Sequence, residues 1–407
     1  MEYLHPSSTP ASKSELSIFS VPPTQVAIES YYDVEYRPSA SLESSSVHEV
    51  IVPASEDFTD LSQSMVHCSL EIQDSNGVST EIAKSVENFA NSLFEQIDFF
   101  LGTINTSQAT NMYHYQSYLE DLLFRHPTKA DYGRLESAQT LRGRVDLYFR
   151  LHLPMCQQDR LLINGVPMIF RFTRSPDNFA LHVTPKTSTP VTCKIKMRKL
   201  AVQLKRVKLF PDAQAGIISA LNDSPAKYFI IRPEMKSFSI PEAILSATFE
   251  NVFSGVLPCR VIIGFVGEAA FSGDINKDPY KFNHLNINQI NLNVDGASIP
   301  NIPYTPSFPV NCVREFVELY RVLGQDEGVP QLDLSFESYK DKTTLFAFDL
   351  GGGLGGETGT LSLIRRGAVR VEVRMSTETS SSYKMIVFAQ FDNLITIDKD
   401  RNVMLDY

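Results

Sequence analysis

The sequence predicts an all-β protein of two tandem β-sandwich domains with a few short helices. Three observations carry this. The chain has 407 residues, more than one hydrophobic core usually serves, so two domains of about 100–200 residues each are expected. Short runs of alternating apolar and polar residues recur between turn-forming clusters. One order of elements is also met twice. In the first half a strand ends at Pro53, a β-run surrounds Cys68 and Ile97–Gly102 is amphipathic. A helix pattern then covers Tyr113 to Phe124, and strands follow at Leu147–Leu151 and Met168–Arg174. In the second half the corresponding features are a strand ending at Pro241, a β-run from Cys259, and Ile290–Gly296. A helix over Cys312 to Leu323 and strands at Leu345–Leu350 and Val369–Arg374 complete the series.

Residues 1–45 are rich in Ser, Pro and Thr and carry little periodicity. The exception is Leu16-Ser17-Ile18-Phe19, ahead of the breaker Pro22-Pro23. This reads as an N-terminal arm with one apolar patch. Val66–Ile72 alternates and stops at the turn Asp74-Ser75-Asn76-Gly77. Met168–Arg174 places Met168, Phe170 and Phe172, or their neighbours, on a buried face, with Arg171 and Thr173 outward. A helix is expected from Pro211 to Leu221, because proline suits a first helical turn and Asn222-Asp223-Ser224-Pro225 ends it. The chain divides there, giving an arm (1–45), a first domain (46–224) and a second domain (225–407).

The continuous apolar run Val261–Val266 predicts a strand covered on both faces. Val369, Val371 and Val373 oppose Arg370, Glu372 and Arg374, as a half-buried antiparallel strand requires. In the helices, Tyr115, Leu119, Leu122 and Leu123 share one face, and Val313, Phe316, Val317 and Tyr320 share another. Long connections between successive strands favour Greek-key or jelly-roll topology over a meander.

Composition narrows the function. The net charge of −10 argues against a surface devoted to nucleic acid, though it leaves room for one basic face. Five scattered cysteines (Cys68, Cys156, Cys193, Cys259, Cys312) form no C-x-x-C pair, so buried thiols in a reducing compartment are expected. Met1–Ser20 lacks a basic segment followed by an apolar one, so no signal peptide is expected. No apolar run approaches the roughly 20 residues that span a bilayer. The sequons at Asn105 and Asn222 are therefore expected to stay unglycosylated.

The chemical motifs fail in turn. Gly351–Gly356 is followed by Glu357-Thr358 and not by the Lys-Ser/Thr of a phosphate loop, so it reads as a loop between strands. The eight histidines (His5, His48, His67, His114, His126, His152, His182, His284) include no pair separated by one residue. His48-Glu49 lacks the second histidine of a zinc-protease helix, and there is no G-x-S-x-G. Nothing local favours a Cys–His nucleophile pair, and glycosidase carboxylates have no local signature. No catalytic, cofactor-binding or metal residue is assigned, and no cofactor is expected. Lys194-Ile195-Lys196-Met197-Arg198-Lys199 and Lys205-Arg206-Val207-Lys208 form a basic segment. It reads as a solvated strand face or as a surface turned toward packaged nucleic acid, without aromatics for base stacking.

Motifs spread from about Leu16 to Tyr407 carry a resemblance. They begin with Leu16–Gln25 and Glu35-Tyr36-Arg37-Pro38, then Ser92-Leu93-Phe94 and Gln158–Val166. Leu257–Val266, Val294-Asp295-Gly296, Thr344–Leu350 and Asp398–Val403 follow. Together these resemble the double-jelly-roll major capsid proteins of Maverick/Polinton elements and their adintovirus relatives. The resemblance implies two upright jelly rolls side by side, homotrimeric pseudo-hexagonal capsomers and an icosahedral shell. It also implies a single-jelly-roll penton partner and packaging and maturation proteins, with residence in the virion after an intracellular stage; non-specific contact with packaged DNA is an expectation of the basic segment alone. It carries over no catalytic residue. The chain departs from the pattern in having no Trp, and Phe89 is expected to replace one in packing. Beside that family's pattern the connections look short, which implies low capsomer towers. Two other classes stand beside this reading: a domesticated jelly-roll binding protein that no longer assembles, and an enzyme on a jelly-roll scaffold, which bound metal would revive.

Overall fold

The structure is a computed structural model of the whole chain. It describes residues 7, 14–16, 18–19, 21–43, 45–74, 76–78, 84–124, 144–183, 193–324, 332, 334–351 and 363–406. After a 3-10 turn at Ser14–Leu16 come β1 (Ile28–Tyr36), β2 (Val47–Val52) and β3 (Phe58–Asp74). β4 (Lys84–Ser85) and α1 (Phe89–Ser92) lead to β5 (Phe94–Leu101) and β6 (Ile104–Asn105). α2 (Tyr113–Phe124) precedes β7 (Arg144–Arg150) and β8 (Met168–Arg174), and α3 (Asp177–Ala180), β9 (Leu181–His182) and β10 (Cys193–Leu209) follow. α4 (Pro211–Asp223) links to β11 (Ala226–Ile240), β12 (Ser246–Val256) and β13 (Arg260–Gly267). Next come α5 (Glu268–Phe271), β14 (Ile287–Val294), β15 (Ala297–Tyr304), α6 (Val313–Val322) and α7 (Phe336–Asp341). β16 (Leu345–Asp349), β17 (Arg366–Met375), β18 (Tyr383–Ile397) and β19 (Val403–Asp406) end the chain.

Four antiparallel sheets form two sandwiches. The first pairs β1-β10-β3-β7 with β2-β8-β5-β6, and the second pairs β11-β18-β13-β16 with β12-β17-β14-β15. Leaving aside the two-residue pair β4-β9, both sandwiches follow one scheme. The first, eighth, third and sixth strands form one sheet, and the second, seventh, fourth and fifth form the other. This is a jelly roll, met twice. β19 extends the second roll along β18.

Side-chain alternation sets the layers. On β8, Met168, Phe170 and Phe172 are buried, while Arg171 and Thr173 lie outward. Val369, Val371 and Val373 of β17 enter the second core as the pattern requires. β13 separates two apolar regions. Val261, Ile263 and Phe265 face the sandwich interior, and Ile262 and Val266 face helices on the outer side. A strand covered on both faces can therefore be apolar throughout. Phe89 is buried in the first core, the place expected for it.

Three readings of the sequence need correction. Residues 28–36 are not part of a loose arm, because β1 is paired along its length with β10. Its side chains are mostly exposed, so the strand lacks the alternation that marks a half-buried one. The repeat is also displaced at its first step. The strand ending at Pro241 is the first strand of its roll and matches β1, whereas the strand ending at Pro53 is a second strand and matches β12. The later correspondences, from Cys68 and Cys259 onward, hold. Finally, α6 buries Glu315, Leu319 and Val322, while Val313 and Val317 are exposed. Phe316 and Tyr320 sit at the boundary, edge-on to each other at 5.1 Å.

Candidate functional site

The sequence-predicted chemical groups do not converge. Among the described residues, no group of three or more His, Cys, Asp or Glu could hold a metal. His5 and His126 lie outside the described residues, as do Gly352–Gly356 of the glycine run. His48 is buried in the first roll, and neither ring nitrogen has a hydrogen-bond partner. His67 lies on an outer sheet face, 2.9 Å from Asp146. His284 stacks on Phe308 at 4.8 Å, and its Nδ1 accepts from the Asn286 amide. The five cysteines form no disulfide. Burial pushes the Cys68 thiol up to about 12 and raises those of Cys193 and Cys312, which disfavours the nucleophilic thiolate.

One polar constellation had no signal in the sequence. His152 follows β7, and its ring lies 2.7 Å from Glu120 and 3.2 Å from Asp121 on α2. Gln157 donates to Glu120, and Gln116 donates to the His152 carbonyl. The backbone amide of His152 donates to the Tyr113 hydroxyl. The imidazole side chain is only 1% exposed. Its geometry fastens α2 to the first roll, and buried charged groups need such partners. A cleft of about 220 Å³ on the second roll is lined by Lys281, His284, Asn286, Asp341, Thr377 and Thr379, among others. Several of its polar groups are engaged with protein partners. Lys281 pairs with Asp341, Asn286 donates to Thr377, and Thr379 bridges Pro241 and Ile244.

Four of the seven cations in the basic segment on β10 are matched by carboxylates of the same chain. Lys194, Lys196 and Arg198 do face outward, opposite buried Ile195 and Met197. Lys196 pairs with Glu43, Arg198 with Glu71, Lys199 with Glu35 and Lys208 with Glu29. Glu35 is held down at about 2, first by Arg37 and then by Lys199. Cations already matched to carboxylates offer little net attraction to phosphate.

The junction between the rolls combines aromatic stacking with polar links. Tyr118 of α2 stacks on Tyr280 at 4.3 Å, and Tyr115 lies parallel to Phe271 at 5.6 Å. Ser92 and Tyr280 share a hydrogen bond of 2.5 Å, and Lys342 donates to Glu87 at 2.7 Å. At the other end, Arg401 donates to the carbonyl and the side chain of Asn164. Gly165 has φ +79°, and a Cβ there would lie 3.0 Å from Arg401 Nε, so only glycine fits without strain. Two separate stretches, 158–166 and 398–403, thus meet across the junction.

What the molecule exposes is apolar surface. Leu16, Ile18, Phe19, Val21 and Val26 are all open, with Phe19 at 95%. Beside the second roll, Ile302, Val310, Val313 and Val317 are 69%, 80%, 52% and 52% exposed. Separate exposed apolar residues are ordinary, whereas grouped ones mark contact surfaces. No helix among the described residues is long and apolar enough to cross a membrane.

No family model matches the chain. An uncharacterized protein of Caenorhabditis elegans is 21% identical over 389 residues, covering 86% of this chain and 91% of that protein. Similar solved structures are viral. PBCV-1 VP54 matches with TM-score 0.66 and 10% identity, over 96% of this chain and 99% of its own. The mavirus major capsid protein matches with TM-score 0.59 and 9% identity, over 99% and 97%. The Faustovirus major capsid protein matches with TM-score 0.62 and 8% identity, over 96% and 93%. These likenesses establish the double-jelly-roll fold end to end.

Proposed function

We propose that this chain is a structural protein of a viral-type shell. The observation that carries the reading is the repeated strand order over nearly the whole chain, shared with capsid proteins of known structure. Its mechanism is geometric. Two similar rolls let a trimer present six similar edges, so that homotrimeric capsomers tile an icosahedral shell. The first roll runs from β1 to about residue 224, the second from 225 onward, and the arm is what precedes β1. A Maverick/Polinton-type origin rests on the sequence resemblance, and the nematode relative fits a gene carried in an animal genome. A penton partner and an intracellular stage before residence in the virion belong to the same reading. The carboxylates matched to four cations of β10 oppose contact with packaged DNA on that face.

The exposed arm residues Leu16, Ile18 and Phe19 lock neighbouring capsomers or face the shell interior. The test is electron microscopy of the full chain beside a variant lacking residues 1–26, a cut that spares β1. The full chain is expected to give closed shells, and the truncated one capsomers without shells. Full chain that forms no shell in any assembly condition would count against the function. Normal shells from the truncated chain would remove the arm from the mechanism.

A further inference from the structure

The cleft of about 220 Å³ lies where loops of the second roll meet. Lys281, His284 and Asn286 come from the connection between β13 and β14, Glu378 and Ser380 from the loop between β17 and β18, and Asp341 from the end of α7. Thr379 ties the β17–β18 loop to the one after β11, accepting from the Ile244 amide and donating to the Pro241 carbonyl. The β13–β14 connection is held in a shape that its surroundings must sustain. Leu285 and Asn286 both have φ +49°, in the left-handed region that leucine rarely enters. The Ser376 amide and hydroxyl both donate to the Asn286 carbonyl, at 2.9 and 3.0 Å. The Asn286 amide donates to His284 Nδ1 at 3.0 Å. These bonds fix the wall of the cleft within the chain itself.

Its remaining polar groups select the chemistry of a ligand. His284 Nδ1 is used as an acceptor, so the neutral ring carries its proton on Nε2, a donor. Glu378 and Ser380 are exposed, and among the described residues neither side chain has a protein partner. Lys281 reaches Asp341 only at 3.7 Å, and both are well exposed, so that pair is weak and can be shared. Donors (Lys281, His284, Ser380) thus stand beside acceptors (Glu378, Asp341, Ser380). An anion is opposed, because two carboxylates face one ammonium. An amine would leave the donors unused. A hydroxyl both donates and accepts, so a ring of hydroxyls uses every group. The volume is below the roughly 300–1,000 Å³ of pockets for drug-sized ligands, which suits a single small ring.

We infer that this cleft binds one neutral pyranose, free or at the end of a glycan. Glu378 and Asp341 accept from its hydroxyls, and Lys281 and His284 Nε2 donate to them. A few exposed hydrogen bonds of this kind give binding of about millimolar strength. The cleft is complete within one chain, so the inference stands apart from the shell-forming reading.

Saturation-transfer NMR of the full chain tests it, with glucose, galactose, mannose and N-acetylglucosamine as probes and N-acetylneuraminic acid beside them. At least one neutral sugar is expected to bind, and the acidic one is not. Glu378→Ala with Ser380→Ala alters exposed positions only, so the thermal midpoint should match the wild type while binding weakens about tenfold or more. Ser380→Trp, which fills the cleft from its rim, should abolish binding. If one variant fails to fold, the other decides. An array of immobilised glycans separates the two sources. Capture of glycans ending in the bound sugar assigns the cleft to glycan ends, and binding of the free sugar alone assigns it to a small molecule. No binding of any neutral sugar well above millimolar concentration, preference for the acidic sugar, or binding that survives both variants would overturn the inference.

Discussion

His114 shows how a single residue can set acid sensitivity. It lies at the start of α2, 4.1 Å from the Phe179 ring and 4.9 Å from the Tyr115 ring, with Nδ1 unpartnered. Burial drives its pKa from 6.5 to about 3, against a smaller pull upward from the Phe94 backbone. The folded pKa is depressed, so the unfolded chain binds the proton more readily. The histidine's share of stability is whole above pH 6.5 and is lost as pH falls toward 3, at about 1.4 kcal/mol per unit. Glu35, also depressed, adds its own loss only below about 4.5. Urea unfolding from pH about 7 to about 5 should therefore show stability falling, and His114→Leu should reduce that slope, leaving the shares of His48 and His284, whose pKa values burial also lowers. An unchanged slope in the variant would remove His114 as a cause. Little of this was legible in the sequence, where a histidine between Tyr113 and Tyr115 reads only as a helical residue. The His152–Glu120 pair was equally hidden, since distant partners leave no local pattern. Phe170, Phe172 and Val371 were legible because a strand's two-residue period needs no knowledge of the rest of the fold.

At the scale of elements, regularity decided what could be read. The strands at 168–174 and 366–375 alternate cleanly, and the helices at 113–124, 211–223 and 313–322 fall where the sequence places them. β1 escaped because an edge strand with mostly exposed side chains carries no alternation. The helices were found, but their faces were not. α2 buries nearly its whole circumference because its second partner is the other roll, and α6 turns two valines outward. Neither fact follows from spacing along one helix. The wedge role of α2 has a measurable consequence. Tyr118 is buried and stacked on Tyr280, so Tyr118→Ala removes most of a ring from a packed junction. The expected loss is about 3–5 kcal/mol in denaturant unfolding. A loss under about 1 kcal/mol would mean that the junction closes over the gap or contributes little.

At the scale of the whole molecule, the chain is one topology used twice. The repeat was visible in the sequence from the third strand of each roll onward. It slipped at the first step, where a proline-ended second strand was matched to a proline-ended first one. Prolines mark where strands stop and carry no information about strand order. The clamp between Arg401 and Asn164 and the stacking of Tyr118 on Tyr280 join the two rolls. A pair of similar units suits a ring. The most direct test is the mass of the purified protein by light scattering, with negative-stain images of the same peak. The account predicts a particle of three 45.6 kDa chains with hexagonal outlines, and a clean 45.6 kDa monomer at high concentration would contradict it.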